Sequence, residues 1–76
     1  MARVEIEYCV PCGLLERAED VQHALLSEYG QRLDAVALKT GDDGVFEVRV
    51  DGEDVYAKEE DEFDVDRISD RVGDRL

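Results

Sequence analysis

The chain has 76 residues, of which 21 are acidic and 9 basic, for a formal net charge of −12. A domain of this size buries only roughly 60% of the surface of its unfolded chain, so we expect chemistry at the surface rather than in a deep cavity. The charge repels phosphate backbones and anionic lipids, so we expect no nucleic acid and no membrane among its partners.

The first predicted element is a strand that leads into a pair of cysteines. Residues 3 to 8 alternate charged and apolar side chains, which indicates a strand with one face in water. The sequence YCVPCG follows, with Cys9 and Cys12 three positions apart. Pro11 suits the first turn of a helix, where its missing N–H is no loss. The cysteines are therefore expected at a junction between strand and helix.

A helix and a second strand are predicted next. From Gly13 to about Tyr29 the apolar residues recur at steps of three and four, which indicates an amphipathic helix with Gly30 as its C-terminal cap. The short apolar segment from Leu33 to Lys39 reads as a strand. A right-handed crossover through the helix makes this strand parallel to the first.

A hairpin is predicted around the dipeptide Asp51-Gly52, which favours a type I′ turn. A two-residue loop would place Val50 opposite Glu53 and, further along, Val48 opposite Val55 and Phe46 opposite Ala57. The opposite, polar face would then carry five side chains: Glu47, Arg49, Asp54, Tyr56 and Lys58.

An acidic loop at residues 59–64 and a final helix complete the chain. Phe63 is the expected anchor of the loop, and Asp64 the expected N-cap of the helix. The inward-facing side chains of this helix are expected to be Val65, Ile68, Val72 and Leu76, with Gly73 weakening its last turn. The result is an α/β two-layer sandwich of order β-α-β-β-β-α, a single domain over residues 1–76 with both helices on one face of a four-stranded mixed sheet.

The two cysteines allow three interpretations. At a helix N-terminus the thiol pKa of a C-x-x-C motif falls from about 8.5 to roughly 3.5–7.5, which favours a redox dithiol. A metal site needs four ligands, and the chain offers only Cys9, Cys12 and His23, so a four-thiolate site would require a dimer. The third possibility is two inert thiols. His23 shares the polar face of the first helix and is expected to be a plain surface residue.

Composition also bears on the environment of the protein. Residues 1 to 8 carry three charged side chains and no apolar signal segment, so a cytoplasmic location is expected. In that compartment a cysteine pair indicates redox or metal chemistry before a structural disulfide. Many acidic residues together with only two lysines are typical of a halophilic protein, in which concentrated salt screens the repulsion among the negative charges.

The order of elements, with YCVPCG directly after an N-terminal strand, resembles the selenoprotein W-related (Rdx) family and its thioredoxin-like fold. The resemblance extends through GQRLD at residues 30–34, GVFEV at 44–48, DG at 51–52 and YAK at 56–58. It implies a monomeric thiol-disulfide oxidoreductase that acts through Cys9 and Cys12 on protein or low-molecular-weight thiols. No cofactor and no metal are implied. The alternatives are an acidic binding or redox-sensing module and the dimeric metal site.

The resemblance leaves the attacking sulfur open. Animal members of the family hold selenocysteine at the position of Cys12, which by analogy makes Cys12 the nucleophile. Thioredoxins suggest Cys9 instead, and the expectation that Cys9 is more exposed in the loop favours it slightly. Val10, Pro11 and Gly13 support the motif in either case.

A client contact is also expected. Thioredoxins align a client with a cis-proline, and the only proline here is Pro11. By topology Gly44, Val45 and Phe46 form the nearest equivalent loop, although core packing is the simpler role for Phe46.

Overall fold

The computed structural model describes residues 2–57 and 62–76. The elements are β1 (Ala2–Cys9), α1 (Leu15–Tyr29), a 3-10 turn (Gly30–Arg32), β2 (Leu33–Gly41), β3 (Phe46–Val50), β4 (Glu53–Ala57) and α2 (Val65–Gly73). The predicted β-α-β-β-β-α order is confirmed. Lys58 and the acidic residues 59–61 lie outside the described residues.

The four strands form one mixed sheet in the order β2-β1-β3-β4. As predicted, β1 is parallel to β2; it is antiparallel to β3, which is antiparallel to β4. Helix α1 packs on β1 and β2, helix α2 packs on β4, and the two helices contact each other. The predicted two-layer α/β sandwich is therefore confirmed.

The core lies between the helices and one face of the sheet. It takes alternate residues from the strands and one stripe from each helix, because side chains repeat every two residues in a strand and every three or four in a helix. The side chains that exclude water completely are Val4, Ile6, Cys9, Ala18, Val21, Leu25, Val48, Ile68 and Val72. A fully buried valine, leucine or isoleucine side chain stabilises the folded state by about 1.5–3 kcal/mol. The thin core therefore depends on each such residue in this list.

The turn of the β3–β4 hairpin has the predicted geometry. Asp51 and Gly52 both have positive φ, at 51° and 85°, as a type I′ turn requires. The backbone N–H of Asp51 donates to the carbonyl of Arg3, and the N–H of Arg3 donates to Oδ1 of Asp51 at 3.0 Å. These two bonds fasten the hairpin to β1.

The predicted register holds only next to that turn. Val50 lies opposite Glu53, but a β-bulge follows, so that Val48 lies opposite Tyr56 and Glu47 opposite Ala57. The expected pairs of Val48 with Val55 and of Phe46 with Ala57 are therefore wrong.

Tyr56 is the physical reason for the bulge. The extra residue turns Tyr56 away from the polar face on which we expected it and buries it to 2% exposure. Its ring packs edge-on against Phe46, with 5.9 Å between the centroids. The free energy gained by burying an aromatic ring exceeds the free energy lost when a β-bulge interrupts the hydrogen-bond ladder of a short edge strand.

Two expectations for the C-terminal segment are confirmed. The side chain of Asp64 caps α2 by accepting a hydrogen bond from the backbone N–H of Arg67. Phe63 is half-buried and meets Phe46 edge-on at 5.7 Å, while the guanidinium of Arg17 lies 5.0 Å from the centre of the Phe63 ring. Phe63 thus anchors the segment that precedes α2.

The open face of the sheet is organised around one arginine. Arg49 contacts Glu5 at 3.2 Å, Glu7 at 3.0 Å, Glu47 at 3.1 Å and Asp54 at 2.9 Å. Burial by itself lowers the pKa of Arg49, but the hydrogen bond to Glu7 and the surrounding negative charges outweigh it and raise that pKa. One cation therefore joins carboxylates from three strands.

Candidate functional site

Cys9 and Cys12 are joined by a disulfide between the last residue of β1 and the turn that precedes α1. Their Cα atoms are 5.4 Å apart, within the usual range of about 4.4–6.8 Å for a disulfide. The strand and the turn therefore already hold the two cysteines at bonding distance.

The motif forms a β-turn rather than the start of a helix. The N–H of Gly13 donates to the carbonyl of Val10 at 3.2 Å, which makes Pro11 the second residue of a four-residue turn. Cys12 has a negative φ, so the turn is of type I, in which proline is favoured at this position. Helix α1 begins only at Leu15. The expectations that Pro11 lies in the first helical turn and that the helix begins at Gly13 are therefore wrong.

Gly13 turns the chain from the cysteine motif toward α1. Its φ of 74° lies in the left-handed region, which glycine adopts without strain. This residue redirects the chain, so that the N–H of Leu14 reaches back to the carbonyl of Cys9 at 3.4 Å. The turn is thereby closed onto the end of β1 before the helix starts.

The loop between β2 and β3 covers the first cysteine. Because β1 lies between these two strands, residues 42–45 must cross the carboxyl end of β1. The N–H of Cys9 donates to the carbonyl of Val45 at 2.7 Å, and the N–H of Val10 donates to that of Gly41 at 3.1 Å. The loop therefore lies directly against the dithiol.

Gly41 is the residue that allows this close approach. A Cβ atom at position 41 would lie 2.7 Å from Cγ1 of Val45 and 3.1 Å from Oε2 of Glu7. Any side chain here would push the loop away from the end of β1. The glycine that follows Thr40 thus contributes to the burial of Cys9.

The two cysteines differ sharply in exposure. Cys9 is 0% exposed, whereas Cys12 is exposed at the tip of the turn. The expectation that Cys9 is the more exposed thiol is therefore wrong, because the β2–β3 loop covers it from a distance in sequence that local patterns do not reveal. An incoming reactant meets the sulfur of Cys12 first.

The start of α1 adds a local electrostatic effect. Leu14 is the N-cap residue and supplies no side-chain hydrogen bond to the first turn. The positive end of the helix dipole therefore faces the turn without a side-chain acceptor, and such a helix end stabilises a nearby anion. A thiolate at Cys12, three residues before α1, is the nearest group of the motif that can benefit.

The residues expected to contact a client line a small cavity, and one of them, Val45, accepts the backbone hydrogen bond from Cys9. Gly44, Val45 and Phe46 are joined there by Asp42, Asp43, Glu47 and Ala57 around about 220 Å³. Phe46 is only 2% exposed, and its aromatic contacts place it in the core, which confirms the simpler of its two expected roles. The acidic members were not predicted as part of a site; for Asp42 and Asp43 the signal is the run TGDDG at residues 40–44.

Other kinds of site are not formed by the described residues. Within 2–57 and 62–76, no three or more histidine, cysteine, aspartate or glutamate side chains are grouped to hold a metal ion. His23 is exposed, as expected. None of the described helices combines the length and the apolar character needed to cross a membrane.

Comparison with known proteins gives consistent matches. The profile described as the Rdx family matches residues 3–74. A crystal structure of a protein from Bordetella parapertussis is 34% identical, with a TM-score of 0.93 over 99% of this chain and 98% of its own. The crystal structure of a selenoprotein W-related protein from Vibrio cholerae is 26% identical, with a TM-score of 0.89 over 97% of this chain and 95% of its own. No curated protein matched the chain.

Proposed function

The chain belongs to the Rdx family, with the thioredoxin-like fold of its relatives, and from this we propose that it is a thiol-disulfide oxidoreductase acting on thiols or disulfides through Cys9 and Cys12. The family and the bonded cysteine pair indicate a redox function. The observation that carries the proposal is the disulfide itself, which joins one fully buried cysteine to one exposed cysteine.

The difference in exposure assigns a role to each sulfur. In the reduced protein the Cys12 thiolate attacks one sulfur of a client disulfide, whose S–S bond breaks, and the first client thiolate leaves and takes up a proton. The Cys9 thiolate then attacks the Cys12 sulfur of the mixed disulfide, and the second client thiolate leaves. Two electrons pass from the protein to the client, and the Cys9–Cys12 disulfide is formed.

Cys9 suits the second step for a physical reason. A buried sulfur does not meet clients in solution, but it stays beside Cys12 because their Cα atoms are only 5.4 Å apart. Its attack is therefore intramolecular, and positioned reactants gain a large effective concentration. This reverses the order that exposure in the loop led us to expect from the sequence.

A redox titration tests the proposal. The protein is equilibrated with mixtures of reduced and oxidised glutathione, free thiols are alkylated, and mass spectrometry counts the alkylated cysteines. We expect both cysteines to convert together, with a midpoint within the range of thiol-disulfide oxidoreductases, roughly −120 to −270 mV. If no Cys9–Cys12 disulfide forms across that range, the proposal is wrong.

A native mass spectrum of the same protein, purified without chelators, separates this function from its rivals. We expect a metal-free monomer. A zinc- or iron-containing dimer would support the shared metal site instead. A Cys9–Cys12 disulfide that dithiothreitol reduces, in a protein whose dithiol form reduces no protein or small disulfide, would support a redox-sensing module.

A further inference from the structure

We propose that the client of this dithiol is a polypeptide segment whose reacting cysteine is flanked by a basic and by an apolar side chain. The proposal rests on the function proposed above and adds the substrate class. It follows from two separate features of the surface around Cys12, one apolar and one acidic.

The apolar feature consists of side chains on both sides of the exposed sulfur. Large hydrophobic residues are exposed at three positions in the described part of the chain: Val10 at 51%, Leu15 at 46% and Leu26 at 46%. Val10 precedes Cys12 by two residues, and Leu15 follows it by three. A protein of such high charge thus has two of these exposed apolar residues within three positions of Cys12 in the chain, where a client bound at Cys12 can cover them.

The acidic feature is the cavity formed by the β2–β3 loop and the residues beside it. It is connected to Cys9 through the hydrogen bond to Val45, and its polar side chains are Asp42, Asp43 and Glu47. Asp42 and Asp43 are exposed, while Glu47 contacts Arg49 at 3.1 Å. Among the residues that the structure describes, none that lines this cavity is basic, so the group that complements these carboxylates is a cation.

The size of the cavity favours a side chain over a whole small molecule. Its volume of about 220 Å³ lies below the range of about 300–1,000 Å³ for pockets that enclose a small-molecule ligand. A lysine or arginine side chain of a client fits this description, since it extends its charge on an apolar stem that can lie along Val45 and Ala57.

Peptide disulfides of graded charge test the proposal. One peptide is made with lysine, glutamine or glutamate next to its cysteine, each as the mixed disulfide with 2-mercaptoethanol. For each peptide disulfide, the rate of cleavage by the reduced protein is divided by the rate of cleavage by dithiothreitol. This ratio corrects for the intrinsic reactivity of the peptide disulfide. We expect the lysine peptide to react about tenfold faster than the glutamate peptide.

Matched variants separate local charge from net charge. The pair D42N/D43N removes two charges at the cavity, whereas D34N/D74N removes one charge at the start of β2 and one at the C-cap of α2. Asparagine tolerates the positive φ of Asp43, so the first variant keeps its turn. We expect the lysine preference to fall about fivefold in D42N/D43N and less than twofold in D34N/D74N.

Helix α1 provides a matched control for the apolar feature. Leu15 and Leu26 are leucines of equal exposure on α1, separated by three turns and roughly 16 Å along the axis. With a leucine beside the peptide cysteine, we expect L15A to slow cleavage about threefold and L26A to leave it unchanged.

The outcomes distinguish the two proposals. Equal rates for the three peptides, or equal effects of the two aspartate variants, would overturn the substrate class while leaving the oxidoreductase intact. A folded, reduced protein that cleaves none of the peptides would overturn the proposed function itself.

Discussion

The hydroxyl group of Tyr29 donates a hydrogen bond of 2.6 Å to the backbone carbonyl of Ser69, and this bond ties α1 to α2. The Tyr29→Phe substitution removes the donor, so the partly buried carbonyl of Ser69 loses this hydrogen bond. We expect the free energy of unfolding to fall by about 1 kcal/mol. Urea unfolding followed by circular dichroism measures the change, and an unchanged midpoint would show that water replaces the hydroxyl.

The same tyrosine makes a glycine necessary in α2. A Cβ atom at position 73 would lie 3.0 Å from Cζ of Tyr29 and closer still to its hydroxyl oxygen. Although alanine is the better helix former, we expect Gly73→Ala to destabilise the protein by about 2 kcal/mol through this overlap. In Y29F/G73A the closest overlapping atom is absent, so the combined loss should be smaller than the sum of the single losses. Additive losses would contradict the contact.

Single-cysteine variants test the roles of the two sulfurs. In Cys9→Ser the exposed Cys12 can attack a client disulfide but nothing resolves the product, so we expect a mixed disulfide to accumulate. In Cys12→Ser only the buried sulfur of Cys9 remains. We expect its mixed disulfide with the client to form at least tenfold more slowly, because a thiol must be accessible to the client disulfide to react with it. Intact-mass spectrometry of time points detects the adducts. The opposite order would return the attacking role to Cys9.

Replacing Arg49 tests the charge cluster of the open face. In Arg49→Met the four carboxylates of the cluster lose their common cation, and we expect a loss of about 2 kcal/mol in dilute buffer. Molar salt should reduce this loss by screening the repulsion among them. Arg67→Met, at an exposed position of α2, makes the same change in net charge and serves as the control. Equal losses in both variants would mean that only net charge matters.

The pH dependence of the Arg49 contribution follows from its raised pKa. A cation whose pKa rises on folding contributes its full stabilisation at any pH below its unfolded pKa, and it loses that contribution only as the pH rises through the still higher folded pKa. The difference in stability between wild type and Arg49→Met should therefore stay constant between about pH 7 and pH 9. Urea unfolding at both ends of that interval measures it. A difference that shrinks toward pH 9 would contradict the assignment.

The net charge of −12 gives a prediction for the whole chain. Screening shortens the Debye length from about 10 Å at 0.1 M salt to about 3 Å at 1 M, so stability should rise steadily with salt over that interval. Urea unfolding across a salt series measures this rise. Full stability in dilute buffer would refute the halophilic interpretation.

The sequence predicted the elements well because each has a strong local pattern. Alternation marks β1, a run of three- and four-residue steps marks α1, and Asp64 marks the start of α2. The hairpin register was less well determined, because Val55 and Tyr56 are adjacent apolar residues and either can face the core. Packing of Tyr56 against Phe46 decides between them, and no local pattern contains that contact.

The candidate site was predicted in position but not in detail. The motif and its place after a strand could be read directly, and the disulfide joins the expected residues. The burial of Cys9 could not be predicted from the sequence, because it depends on residues 42–45 crossing the end of β1 and on the space left by Gly41. Alternation after the buried Tyr8 even predicts an outward Cys9. Contacts of this kind, between residues far apart in sequence, decide which of the two cysteines is exposed.

The β-bulge of the hairpin has a consequence for how copies of this protein meet each other. Strand β4 lies at one margin of the sheet, where unpaired backbone groups can recruit a strand from another molecule. The bulge interrupts the regular spacing of those groups, and Nη1 of Arg71 already occupies the carbonyl of Val55 at 3.1 Å. An incoming strand would find a twisted, partly occupied template. The packing of one tyrosine therefore also protects the protein against edge-to-edge aggregation in concentrated salt, where charge repulsion no longer keeps molecules apart.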